Sequence, residues 1–242
     1  ASTFIPELYR YQLAPCPGDM PDLTRHIKER SYYLVDYYTD ELFVPAEENQ
    51  HIHSLVFDWN RVLCDVERLP HDPLESSSLG IHSYRTICDV KRGMKWHDSM
   101  MRYVEYQYEL AKLVTSVRFK PWNSYLDVLL IDCHSFSMHP TDLCPLPPQD
   151  IDICLGYNED ETRPHDAMID KIEQYFIEKG YRVGRNKPFS NSKTVPVPVA
   201  YHSLMIDVNK SLYMDEETLE KKPEGFAKLQ NDIQELYKLI IK

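Results

Sequence analysis

The sequence predicts an α/β protein with a mixed central sheet between helical layers. Three observations carry this. Helix-like and strand-like segments alternate along the chain. One short apolar run, Val128 to Ile131, has the length and β-branched content of a strand buried on both faces. No internal repeat and no long linker divides the 242 residues, so residues 1–242 are expected to form a single domain.

The elements follow in order. Residues 1–20 are rich in proline and aromatics and read as an extended segment and loop. Asp22 can cap a helix that runs to about Phe43 and stops before Pro45. Ile52 to Phe57 reads as a strand, and Arg61 to Val66 as another or as its continuation. A polar loop spans Pro70 and the serine run 76–78. His97 to about Arg118 is the clearest helix, with Met101, Val104, Tyr108, Ala111 and Val114 at helical spacing. The strand Val128–Ile131 comes next. A proline-rich loop then leads to an alternating strand, Ile151 to Gly156. Pro164 to Lys179 is a helix closed by Gly180. Tyr181 to Val183 starts a short strand, Ser203 to Val208 is a further strand, and Phe226 to Ile241 is an amphipathic closing helix.

Composition excludes several functions. The chain is 43% hydrophobic and 27% charged, as expected of a globular protein. A net charge of −11 makes nucleic acid and anionic membrane surfaces poor partners. No apolar run approaches the roughly 20 residues of a membrane span, and no signal peptide is visible. Cys64, Cys133 and Cys154 lie in apolar runs and no CxxC occurs among the six cysteines. Free buried thiols in a reducing compartment, the cytoplasm, are therefore expected. Seven glycines, none in a phosphate-binding pattern, argue against a nucleotide loop, and there is no GxSxG elbow. The sequence carries no signal for oligomeric state.

The chemistry concentrates at strand ends. Asp132, His134 and Ser135 follow the apolar run, where ligands bind open α/β sheets. Positions i and i+2 share a face, so Asp132 and His134 can act as a pair. They suit a metal ligand with its orienting partner, or a catalytic base; a strand ending in polar loop residues is the plain alternative. Arg61 and Arg68 are candidates for clamping a planar carboxylate, with Glu67 holding Arg68, set against a surface ion pair. Asp207 lies within the apolar strand Leu204–Val208, as a general base or as an outward-pointing side chain. Its neighbours on the alternating strand would be Met205 and Asn209. The acidic stretch of Asp150, Asp152, Glu159, Asp160 and Glu161 reads as solvated. Eight histidines, His165 and His202 among them, have no metal-binding spacing and read as surface or structural.

Several short segments in this order resemble the N-formylglutamate amidohydrolase family. They are Ser2–Pro6, Tyr38–Phe43, Asn60–Arg61 through Asp65–Arg68, Trp96–His97, Leu130–Phe136, Asp152–Gly156, Asn186–Ser190, Met205–Lys210 and Leu212–Met214. Each is weak alone, while their joint order is specific and covers nearly the whole chain.

The resemblance implies a zinc-carboxypeptidase-like, three-layer fold related to the aspartoacylases. It also implies a zinc-dependent hydrolase of small N-acyl amino acids such as N-formyl-L-glutamate. By that resemblance His134 is a zinc ligand and Asp40 the carboxylate ligand. The family's opening histidine would stand immediately before Ala1, so the first zinc ligand is expected upstream. Arg68 would bind the substrate α-carboxylate and Arg61 would assist or polarise the scissile carbonyl, with Glu67 and Asn186 also contributing to substrate binding. Asp207 would be the water-activating base, one methylene shorter than the family's usual glutamate. Two other outcomes stay open: a family member that binds a carboxylated ligand with little or no turnover, and a carboxypeptidase-like peptidase.

Overall fold

The computed structural model describes residues 35–46, 51–59, 61, 64–67, 93–116, 128–137 and 150–241. The chain divides into two compact units, one of Ala1–Tyr38 with Val56–Glu109, the other of Thr39–Leu55 with Leu110–Lys242. Among the described residues no helix is long and apolar enough to cross a membrane.

In the first unit Trp59, Cys64, Val66 and Tyr103 form a buried cluster, with Phe57, Met100 and Tyr106 packed against it. The Phe57 and Tyr106 rings meet edge to face at 5.3 Å, and Gln107 donates to the Val66 carbonyl at 2.7 Å. The strand expected at Ile52–Phe57 is reduced to a single bridge at Ile52, with residues 53–58 in no regular element; of the strand expected at Arg61–Val66, residues 61 and 66 lie in turns, 64 and 65 are irregular, and 62 and 63 lie outside the described residues. Here the residues that read as β-formers serve as anchors of an irregular segment on a helix, and propensity for strands yields to packing.

That helix, α2 (Gly93–Ser116), follows α1 (Thr39–Phe43) in the described chain; its residues to Glu109 belong to the first unit and the rest to the second. It begins four residues earlier than the sequence predicts. Among its described side chains Tyr103, Leu110 and Val114 are buried, while Met101, Val104 and Tyr108 are exposed. Two neighbouring stripes of α2 are apolar, and periodicity alone does not choose between them. Of the helix expected from Asp22 to about Phe43, residues 22–34 lie outside the described residues, residues 35–38 form bends and turns, with Tyr38 at φ 62, and α1 covers Thr39–Phe43.

The second unit is built on four strands, β1 (Leu129–Phe136), β2 (Ile153–Gly156), β3 (Val183–Arg185) and β4 (His202–Asn209). Their order is β1-β4-β2-β3, with β1 parallel to β4, β2 antiparallel to β4 and β2 parallel to β3. The sheet is mixed, as expected. β1 lies at one edge of the described sheet and is only half-buried along most of its length, not buried on both faces. It also extends through Phe136, so Asp132 and His134 are inside the strand and not in the loop beyond it.

β4 alternates. Leu204, Ile206 and Val208 are fully buried on one face. Helices α3 (Asp166–Glu178) and α4 (Pro223–Ile240) bring their own buried stripes, Ile169, Ile172 and Phe176, and Leu229, Ile233 and Leu236. Each such side chain contributes roughly 1.5–3 kcal/mol by leaving water. α3 contacts β2 and β3. The Tyr175 hydroxyl donates to the Asp232 carbonyl at 2.6 Å and so ties α3 to α4. α3 ends where Gly180 takes φ 89, as the sequence predicts. Pro223 opens α4 from its first turn, where its missing N–H costs nothing.

The acidic stretch is not uniformly solvated. Asp152 is buried and grips Arg182 through the backbone N–H, Nε and Nη2, at 2.9, 2.9 and 2.7 Å. The Arg182 head group repays the burial of the Asp152 charge. Met214 and Lys221 close the segment ahead of α4 with an isolated antiparallel bridge.

Candidate active site

The second face of β4 carries Ser203, Met205, Asp207 and Asn209, because side chains alternate along a strand. In the parallel register with β1, Asp132 pairs with Met205 and His134 with Asp207. In the antiparallel register with β2, Asp207 pairs with Cys154. Three strands therefore present His134, Asp207 and Cys154 side by side on one face.

Asp132 and His134 form the pair their spacing suggests. The His134 Nε2 lies 3.0 Å from Asp132 Oδ1, and both side chains are largely buried. The other carboxylate oxygen, Oδ2, accepts the Lys193 backbone N–H at 3.0 Å. Burial alone would raise the Asp132 carboxyl. The His134 ring beside it, the hydrogen bond to that ring and the Lys193 charge and N–H outweigh burial and hold it below the usual carboxylate range. An ionised Asp132 only accepts hydrogen bonds, so in the neutral ring Nε2 carries the proton and Nδ1 is the lone-pair nitrogen.

Asp207 is buried beside His134, at 5% exposure. Its charge also reaches Cys154, whose Sγ donates to the Phe189 carbonyl at 3.2 Å. Burial, aided by Asp207, pushes the Cys154 thiol up to about 11, which leaves it protonated near neutrality and no nucleophile. Cys154, Phe136 and Met205 form a small apolar cluster with Ile151 and Phe189. Met205 is a wall of this face, as the alternation suggests. Asn209 instead supports the backbone: it donates to the Ile151 carbonyl at 3.1 Å and accepts from Ser211 N at 3.0 Å.

The segment after β3 crosses this face close to the sheet. A side chain at Gly156 would meet the Asn191 carbonyl oxygen at 2.5 Å and also strike Met205. Only glycine lets the segment settle there.

The remaining expected residues lie as follows. Asn186 adopts φ 50, donates its N–H to the Leu155 carbonyl at 2.8 Å, and accepts the Tyr157 N–H on Oδ1 at 2.9 Å. These bonds set the path of the loop after β3. Asp40 is exposed in the first turn of α1. In the first unit, Arg61 bonds Asp65 at 2.9 Å and lies 3.6 Å from Asp36. Asp65 also accepts the Glu67 N–H at 3.0 Å, so Arg61, Asp65 and Glu67 brace one turn. Although burial acts to lower it, the paired carboxylates raise the Arg61 guanidinium further above its ordinary range. Arg68 lies outside the described residues. Spacing in the sequence does not mark Lys193, whose N–H meets Asp132, nor Asn158 and Ser203, which hold the Ser192–Lys193 backbone.

His165 and His202 stack edge to face at 4.8 Å, and His202 Nδ1 meets the Arg163 carbonyl at 2.9 Å, so this pair is structural.

The fold and this face define a mixed α/β protein with a carboxylate-held histidine beside a buried aspartate on adjacent strands. The chain belongs to the N-formylglutamate amidohydrolase family, whose profile matches residues 14–214. Among solved structures, an N-formylglutamate amidohydrolase from Ralstonia eutropha JMP134 is 28% identical over 59% of this chain and 51% of that one, with a TM-score of 0.45. The chain thus spans about half the length of that relative. A gene product from Agrobacterium tumefaciens is 14% identical over 76% of this chain and 70% of its own, with a TM-score of 0.51, a likeness of fold. No curated protein matches the sequence.

Proposed function

We propose that the protein is a zinc-dependent hydrolase that cleaves the amide of N-formyl-L-glutamate, or of a similar small N-acyl amino acid, to formate or another acid and the free amino acid. The observation that carries this reading is His134, held through Nε2 by Asp132 and set in register beside Asp207. Family membership supplies the reaction class. The match over residues 14–214 supports reading residues 1–242 as one family domain; a three-layer, carboxypeptidase-like arrangement is proposed with it. Cys64, Cys133 and Cys154 keep reduced thiols outside any disulfide, which supports a cytoplasmic setting.

The donor chemistry fits zinc. An imidazole whose outer N–H is held by a carboxylate is the usual form of a zinc-binding histidine. His134 would hold the ion through Nδ1, and Asp40 is the proposed carboxylate ligand. When bound, zinc would lower the pKa of a water to roughly 7 and polarise the scissile carbonyl. Asp132 keeps the ring in one tautomer and one orientation. Asp207 takes the proton of the attacking water and returns it to the leaving nitrogen. Arg68 is assigned to the substrate α-carboxylate by its place in the family motif, with Arg61, Glu67 and Asn186 in support.

Incubation of zinc-loaded protein with a panel of N-formyl and N-acetyl amino acids, with formate and free amine measured, tests this. Turnover of N-formyl-L-glutamate or a close analogue is expected. No turnover of any member with one zinc bound per chain would contradict it. The short Asp207 side chain favours a second reading, a carboxylate-binding protein of low turnover. Under it, the same protein would bind N-formyl-L-glutamate in calorimetry without releasing formate.

A further inference from the structure

We infer that Asn158 is a positioning residue for His134, acting through the Ser192–Lys193 peptide and Asp132. This rests on the reading of His134 as the zinc-binding histidine. The chain of contacts is continuous. Asn158 is nearly buried, at 9% exposure, in the segment that leaves β2. Its Oδ1 accepts the Ser192 N–H at 3.2 Å and its Nδ2 donates to the Ser192 carbonyl at 3.1 Å. One amide side chain thus holds both backbone groups of Ser192. The same Nδ2 donates to Thr162 Oγ1 at 3.1 Å, which fixes the amide's orientation. From the other side, Ser203 on β4 donates its hydroxyl to the Lys193 carbonyl at 2.7 Å and lies 2.7 Å from the Ser192 hydroxyl.

The Lys193 N–H between these anchors has one direction to point, and it meets Asp132 Oδ2 at 3.0 Å. Asp132 in turn meets His134 Nε2 with its other oxygen. A carboxylate held at one oxygen by a single N–H could still swing about its Cβ–Cγ bond. Fixing that N–H on a peptide clamped from both sides removes this freedom, and with it the freedom of the imidazole plane. Gly156 makes the arrangement sterically possible by letting the Asn191 carbonyl approach the sheet. Removing the direct partner of a metal-binding histidine typically changes metal affinity about 10–100-fold, and Asn158, one link further out, is expected at the low end of that range.

The test compares the parent, Asn158→Ala, Ser203→Ala and Ser203→Thr, the last keeping the hydroxyl. Zinc affinity is measured by chelator competition. The His134 tautomer is read from long-range 1H–15N spectra of zinc-free protein, and melting temperature is recorded alongside. The expected result is zinc bound about 10-fold more weakly by Asn158→Ala, the low end of the range for a direct partner, with a smaller loss in Ser203→Ala and parent affinity in Ser203→Thr. The His134 spectrum should change from a single Nε2–H form to a mixture in Asn158→Ala. Parent affinity and a single tautomer in folded Asn158→Ala would overturn the inference. If Asn158→Ala does not fold, Ser203→Ala decides by the same two readouts. If the parent holds no zinc, the metal reading fails separately, and the tautomer alone decides whether Asn158 positions His134.

Discussion

His134 and Asp207 are partners in the parallel register of β1 and β4, so an imidazole and a buried carboxylate from distant parts of the sequence stand on adjacent strands of one sheet face. Strand spacing of about 4.8 Å sets their separation, and a sheet holds it more rigidly than loops would. Asp132, two residues before His134, adds the third polar group without requiring another element.

The first prediction concerns Asp132. Asp132→Asn keeps shape but removes the charge that selects the Nε2–H form. Zinc affinity should fall about 10–100-fold, while His134→Ala should lose zinc at this site altogether. Metal content after dialysis, with chelator competition for the weaker variant, checks both. Parent-like zinc in His134→Ala would remove it from the ligand set.

Gly156→Ala should displace the segment around Asn191. The added methyl meets a backbone oxygen, which cannot rotate away. A cost of about 1–3 kcal/mol in stability is expected from overpacking, together with weakened zinc binding through loss of the Lys193 contact to Asp132. Thermal unfolding and zinc competition measure the two effects. Unchanged stability would mean that the segment sits farther from the sheet.

Away from the site, Asp232 on α4 sets an acid limit. It is buried, accepts from Tyr181 and Lys228 at 2.8 Å each, and lies 3.3 Å from Lys179 Nζ. Burial would raise its carboxyl, but the Lys228 and Tyr181 hydrogen bonds and the Lys charges hold it below the ordinary range. A depressed carboxyl stabilises the fold above its unfolded value, about 3.9, and that stability is lost as pH falls through the lower folded value. Asp232→Asn should therefore cost about 1.5–3 kcal/mol at pH 7. The gap to the parent should hold down to about pH 4 and close below it. Denaturant unfolding at several pH values checks this; a gap that widens in acid would contradict the assignment.

Local signals in the sequence located what local chemistry controls. The α3 helix with its Gly180 stop, the alternation of β4 and the Asp132–His134 pair all depend on residues a few positions apart, and they lie where spacing places them. Non-local choices were not legible. Which apolar stripe of α2 is buried depends on what packs against it, and Tyr103 and Leu110 replace Met101, Val104 and Tyr108. Residues 53–58 have strand composition but join no ladder, so they form no regular element. Asp152 reads as one acid among several until Arg182, thirty positions on, closes over it. Asn158 and Lys193 escaped notice for the same reason: their partners lie 34 and 61 residues away, and no periodicity encodes such pairings.

Formate release by zinc-loaded Asp207→Asn tests most directly whether Asp207 is the base. The variant is isosteric and leaves His134 and Asp132 in place. It should keep its zinc while hydrolysis of N-formyl-L-glutamate falls by about 100-fold or more, the usual contribution of a positioned base, and Asp207→Glu should retain or exceed parent activity. Hydrolysis by Asp207→Asn at the parent rate, with zinc bound, would contradict the account.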